Sequence, residues 1–136
     1  MKKPFAVLLA IFLLLFHGSA SATARGLDSK GVAVLTRISK FDSIYPTLRT
    51  SGNTASYSLS AAGKPEVTSI SATLQIQQLV NGAYVDYGSP WNATSNSRTL
   101  KTSGTKTVDN GGTYRLKVTV TAYYPGGSST ETEYSL

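Results

Sequence analysis

The 136-residue chain has one histidine, His17, and no cysteine, and His17 lies in an N-terminal stretch that reads as a cleavable leader. Without the leader the chain keeps neither imidazole nor thiol. Those are the groups that supply a base near pH 7, a strong nucleophile and the usual zinc ligands. Ser-His-Asp and Cys-His hydrolysis are therefore excluded, and a Ser–Lys dyad is not expected. The acids left for a two-carboxylate mechanism are Asp28, Asp42, Glu66, Asp86, Asp109, Glu131 and Glu133. Glu131 and Glu133 share a strand face about 6.5 to 7 Å apart. They are expected to point outward into water, where no acid is desolvated enough to gain a raised pKa. The expectation is that they guard an edge strand against unwanted pairing. No acidic run has the oxygen density that calcium requires. The chain is expected to be no enzyme and to carry no metal or cofactor.

Binding chemistry is better represented. Tyr84, Tyr87 and Trp91 fall within eight residues, and Tyr123-Tyr124 precede a Pro-Gly-Gly turn. Sugar rings stack their CH faces on exposed aromatic rings, so Trp91, Tyr84 and Tyr87 are the candidate ligand-binding residues. The competing reading makes Trp91 a cap that closes one end of the fold. Arg115 and Lys117 alternate along one strand, with Arg98, Lys101 and Lys106 near in sequence. If their strands were paired, Arg98, Lys101, Arg115 and Lys117 would form a cationic patch for an anionic wall polymer or lipid headgroup. Nucleic acid is not an expected partner. Asn92-Ala93-Thr94 matches a glycosylation sequon and is taken as a chance match.

Residues 1–24 have the layout of a secretory signal peptide: Lys2 and Lys3, then the apolar run FAVLLAIFLLLF, then small residues. Cleavage is expected after Ala22 or Ala24. Twelve apolar residues are too few for the roughly 20 of a membrane span, and no second apolar stretch follows. The mature protein is expected to be secreted or extracellular, with association to the cell wall as an option. Loss of Lys2 and Lys3 leaves 11 basic against 7 acidic residues, lowering the formal net charge from +6 to +4. Residues 25–136 suffice for one domain, whose core must form without a disulfide.

Period-two alternation and turn residues every ten or so positions predict an all-β antiparallel sandwich of about seven strands. Strands are expected over 32–38, 54–62, 70–77, 84–87, 98–101, 105–108, 114–124 and 130–136, some of them short. Between 88 and 104 the chain is expected to be loop apart from the short strand at 98–101. Asn81-Gly82 predicts a type I′ hairpin.

Asn110-Gly111-Gly112-Thr113-Tyr114 sets a tyrosine at the start of a long inner strand, just after a tight turn. This resembles the tyrosine corner of immunoglobulin-like sandwiches, in which the hydroxyl bonds back to the turn. Leu116 stands where that family has its second cysteine, and Leu74 where its core tryptophan would be. An antibody-type domain is thereby set aside, while an Ig-like sandwich is supported. The leader, the NG hairpin with aromatic residues after it, and the run G-T-Y-R-L-K-V-T-V-T-A-Y also resemble a family of small exported proteins of Gram-positive bacteria. That family is known only as a domain of unknown function. The resemblance implies an all-β fold and secretion and carries over no site residue. The expected function is a non-enzymatic binding module for a cell-envelope or extracellular polymer, polysaccharide ahead of protein. The alternative is a structural matrix protein that self-associates through strand edges.

Overall fold

A computed structural model of the chain describes residues 39–136; the leader and the strand expected over 32–38 lie outside them. Eight strands follow in order: β1 (Phe41–Ser51), β2 (Thr54–Gly63), β3 (Ser69–Val80), β4 (Ala83–Asp86), β5 (Trp91–Ser95), β6 (Thr99–Thr107), β7 (Tyr114–Tyr124) and β8 (Gly127–Tyr134). They form two antiparallel sheets. One has the order β1-β2-β6; the other runs β4-β3-β7-β8, with β5 also paired to β3. The fold is an all-β, Ig-like sandwich. Among the described residues there is no helix long and apolar enough to cross a membrane.

Alternation builds the core. Ala55, Leu59 and Ala61 of β2, Ile70, Ala72, Leu74 and Ile76 of β3, and Leu116, Val118, Val120 and Ala122 of β7 are all buried. Direct cross-strand partners face the same side, and here large residues meet small ones. Ile70 lies opposite Ala122, and Ala72 opposite Val120. Toward the middle of the sheet the pairs are large with large, Leu74 with Val118 and Ile76 with Leu116. The Asn81-Gly82 hairpin is of the expected kind, with φ of 52° and 83° at its two central residues. Asn tolerates this left-handed region and Gly enters it freely, which matches the turn to strand twist.

Four strand assignments change. β1 occupies a stretch where the pattern predicted no strand. Its inward residues are Phe41, Ile44, Pro46 and Leu48, and a register shift between Phe41 and Ser43 breaks the period of two. Pro46 disguises the strand further, and is tolerated because β1 is an edge. β5 lies in the expected loop and pairs β3 from Leu74 to Ile70. The two short strands around residue 103 are one strand, β6. Gly104 sits inside it because the Tyr57 ring lies across that point, and a Cβ there would fall 2.8 Å from the Tyr57 hydroxyl oxygen. The last strand begins at Gly127, three residues early.

Glu131 and Glu133 are also placed differently. Their partners are the core residues Val120 and Val118, so they turn toward the inner side of the free edge strand β8, not outward. Glu131 accepts a hydrogen bond from the Ser39 hydroxyl. Inward-pointing charge on an edge strand is a recognised barrier to sheet-to-sheet addition. Replacing both by valine should produce concentration-dependent assembly, visible as a shift in light scattering or gel-filtration elution. An unchanged elution profile would show that they do not guard this edge.

The tyrosine corner is formed. Tyr114 donates its hydroxyl hydrogen to the Asp109 carbonyl at 2.8 Å, tying the start of β7 to the connection before it. Tyr114→Phe should lower stability by about 1 kcal/mol in a urea titration, with the slope unchanged.

Candidate functional site

Two surroundings divide the aromatic residues singled out by sequence. Trp91 and Tyr87 lie on the inner side at one end of the sandwich. Trp91 stands opposite Leu74, its ring centroid 4.8 Å from that of Tyr57, with the Lys106 ammonium 4.4 Å away over the ring. Tyr87 meets Tyr114 edge to face at 5.2 Å, and its hydroxyl accepts the Asp109 backbone N–H at 3.0 Å. Trp91 is therefore half-buried and already stacked, which is the arrangement of an end cap. A shallow cleft of about 250 Å³ remains there, lined by Ile76, Tyr87, Ser89, Trp91 and Lys106. The indole N–H is buried without a partner among the described residues.

Tyr84 faces the other way. Counting from the hairpin, it lies opposite Leu79, on the same side as Gln77 and Asp86. This is the outer face of the five-stranded sheet, where Arg115 and Lys117 also stand. The proposed trio of Trp91, Tyr84 and Tyr87 is thus not one surface. Side chains three apart on a strand point oppositely, and the break at residues 87–90 adds to the separation.

The cationic residues divide as well. Lys101 is opposite Ser60, on the outer face of the three-stranded sheet. Arg98 lies in the β5–β6 turn, where its carbonyl accepts the Gly63 N–H. Arg115 and Lys117 are across the sandwich from Lys101. A single patch would require β6 to pair with β7, but β6 pairs with β2. The Ser-x-x-Lys spacing does occur after the leader, at Ser103 and Lys106. Ser103 faces out with Ser58, whereas Lys106 faces in with Ala55, so the two form no dyad. Among the described residues no three His, Cys, Asp or Glu side chains gather as metal ligands.

The outer face of the five-stranded sheet carries an ordered polar array. Two of its cross-strand rows read Asn92–Thr73–Thr119–Thr132 and Thr94–Ser71–Thr121–Thr130. Hydrogen bonds fix several members: Thr73 donates to Asn92 at 3.0 Å, and Thr121 pairs with Thr130 at 2.8 Å. The next row is Gln75–Lys117–Tyr134, followed by Asp86–Gln77–Arg115. Gln75 fills the break between β4 and β5. Its amide donates to the Tyr87 and Gly88 carbonyls at 3.1 and 3.2 Å, supplying donors that the interrupted edge strand lacks. Beside it lies a cleft of about 190 Å³ lined by Thr73, Gln75, Asp86, Pro90, Lys117 and Thr119.

At the end of this face the Arg115 guanidinium carbon lies 4.0 Å from the Tyr84 ring centroid and 4.1 Å from that of Tyr134. The contact is favourable because the ring faces are electron-rich. Arg115 Nε donates to Gln77 Oε1 at 2.9 Å, and Gln77 Nε2 donates to Asp86 at 3.0 Å. Tyr123, 44% exposed, marks the other end, about 20 Å along the strand from the Tyr134 row. Sequence reading found Tyr84, Arg115 and Lys117 but missed Tyr134, Gln75, Gln77 and Asp86. Counting outward from the two hairpin turns would have found part of the set. The Asn81-Gly82 turn pairs Gln77 with Asp86, and the Pro125-Gly126 turn pairs Lys117 with Tyr134.

Burial of the Tyr87 hydroxyl, with the nearby Asp109 charge adding to it, raises its pKa above 10, while the Asp109 backbone N–H acts against the shift. A raised acid contributes stability below its unfolded pKa and loses it as pH climbs through the folded one. Thermal stability should therefore fall more steeply in the parent than in Tyr87→Phe as the pH rises above about 10. Parallel curves would show that Tyr87 does not titrate differently on folding.

The chain matches no protein-family model and no curated protein sequence.

Proposed function

We propose that this is a secreted, non-enzymatic binding module whose outer five-stranded face holds an extended polysaccharide of the cell envelope or extracellular space. The observation that carries the reading is the ordered polar face itself: four hydroxyl- and amide-bearing rows ending at the Tyr84–Arg115–Tyr134 stack. Hydroxyls and amides already fixed by their neighbours lose little freedom when a sugar hydroxyl joins them, so binding is preorganised. A flat face spanning four to five strands suits a long polymer better than a small molecule, which needs a deeper pocket. The tyrosines supply apolar area where sugar CH groups can lie. Trp91, held between Tyr57 and Lys106, acts in this reading as part of the scaffold.

The self-associating matrix alternative finds less support. Of the four sheet edges, two carry obstacles to strand addition, Pro46 in β1 and the inward Glu131 and Glu133 in β8.

The test is cosedimentation of the purified chain with insoluble cell wall and insoluble polysaccharides, with and without salt. Tyr84→Ala and Tyr134→Ala should each reduce the bound fraction, by about fivefold in affinity, while Trp91→Ala at equal foldedness should leave it unchanged. A protein that stays in the supernatant under every condition refutes the reading. Loss of binding in Trp91→Ala alone would move the site to the end cleft.

A further inference from the structure

The Arg115 head group is held as few surface arginines are. Tyr84 reaches it from the β3–β4 side and Tyr134 from β8, with both ring centroids about 4 Å from its central carbon. Nε is fixed by Gln77, and Gln77, only 7% exposed, is fixed in turn by Asp86. A guanidinium has five N–H donors, and only the Nε donor is satisfied by another described residue. The four terminal donors remain, in one plane, two of them side by side on the outer edge opposite Nε. The row's carboxylate, Asp86, engages Gln77 and not Arg115, and Arg115 forms no ion pair among the described residues. Its positive charge is oriented by these contacts and has no direct counter-ion among the described residues.

Lys117 stands two residues along on the same face, about 6.5 to 7 Å away, likewise without an ion pair among the described residues. This face therefore holds two free cations at a spacing set by the backbone, beside hydroxyl rows suited to neutral sugar groups.

Resting on the polysaccharide reading above, we propose that the ligand is a carboxylated polysaccharide and that Arg115 is the residue that reads its carboxylate. The planar fork matches a planar carboxylate, which can accept the two parallel N–H donors of its outer edge at once. A tetrahedral phosphate carries oxygens out of that plane, toward the electron-rich faces of Tyr84 and Tyr134. Lys117 meets the next anionic group as a point charge and tolerates variation in its position.

The test is calorimetric titration of the full chain with oligogalacturonate, with its methyl ester, with a neutral glucan and with polyphosphate. The acid should bind about tenfold or more tightly than the ester. Arg115→Lys, which keeps the charge but loses the fork, should narrow the acid-to-ester affinity ratio by about tenfold. Should Arg115→Lys fail to fold, the acid-to-ester ratio on the unsubstituted protein decides. Equal affinity for acid and ester overturns the proposal and leaves the face reading standing, as does binding of the neutral glucan alone. Polyphosphate binding as tightly as the acid also overturns it, by showing a non-selective cationic site. If no carbohydrate binds at all, both readings fall.

Discussion

The ten-residue register between β3 and β7 governs the rest of this molecule. From Ser69 opposite Tyr123 to Gln78 opposite Tyr114, each pair sets one row on both faces of the central sheet. On the inner side the register brings Leu74 to Val118 and Ile76 to Leu116, which forms the middle of the core. On the outer side it brings Thr73 to Thr119 and Gln77 to Arg115. A slip of one residue would exchange the faces, burying arginine and threonine and exposing valine. The hydrophobic free energy of the core, about 25 cal/mol per Å² of apolar surface, therefore enforces the geometry of the polar face. The two cannot vary independently.

Around this pair the smaller devices serve to hold edges. Tyr114 anchors the start of β7 to Asp109, and the Tyr87 hydroxyl, from the β4–β5 connection of the same sheet, accepts the backbone N–H of Asp109. Gln75 closes the gap between β4 and β5, so a broken edge strand keeps its carbonyls satisfied. The ion pairs Lys40–Glu66 and Lys64–Asp42 are exposed and contribute little. Arg115 and Lys117, by contrast, form no ion pair among the described residues.

Much of the fold was legible because alternation is a local signal. β2, β3 and β7 announce themselves through strict exchange of apolar and polar residues, and the Asn81-Gly82 turn through its backbone demands. β1 was hidden by two local irregularities, the shift after Phe41 and Pro46, that break the period without preventing pairing. β5 was hidden by its polarity: Asn92 and Thr94 sit on the wet face, and only Trp91 and the small Ala93 mark the inner one. For the site, closeness in sequence grouped Tyr84 with Tyr87 and Trp91, although strand alternation sets Tyr84 on the opposite face. Alternation could not tell that Glu131 and Glu133 follow the inner face of β7, since a terminal strand with few apolar residues has no pattern to declare its inward side.

By itself, then, the sequence determined the class of structure, the inner residues of the longest strands, the hairpin turns and the tyrosine corner. Each depends on residues within a few positions of one another, where propensity and steric preference act directly. Only the tertiary structure decided which strands became neighbours. That choice put Lys101 on the opposite sheet from Arg115, set Trp91 against Tyr57, and brought Tyr84 and Tyr134, fifty residues apart in the chain, to either side of one guanidinium. Pairing between distant strands is fixed by how all the apolar faces can be buried together, a global condition that no local pattern encodes.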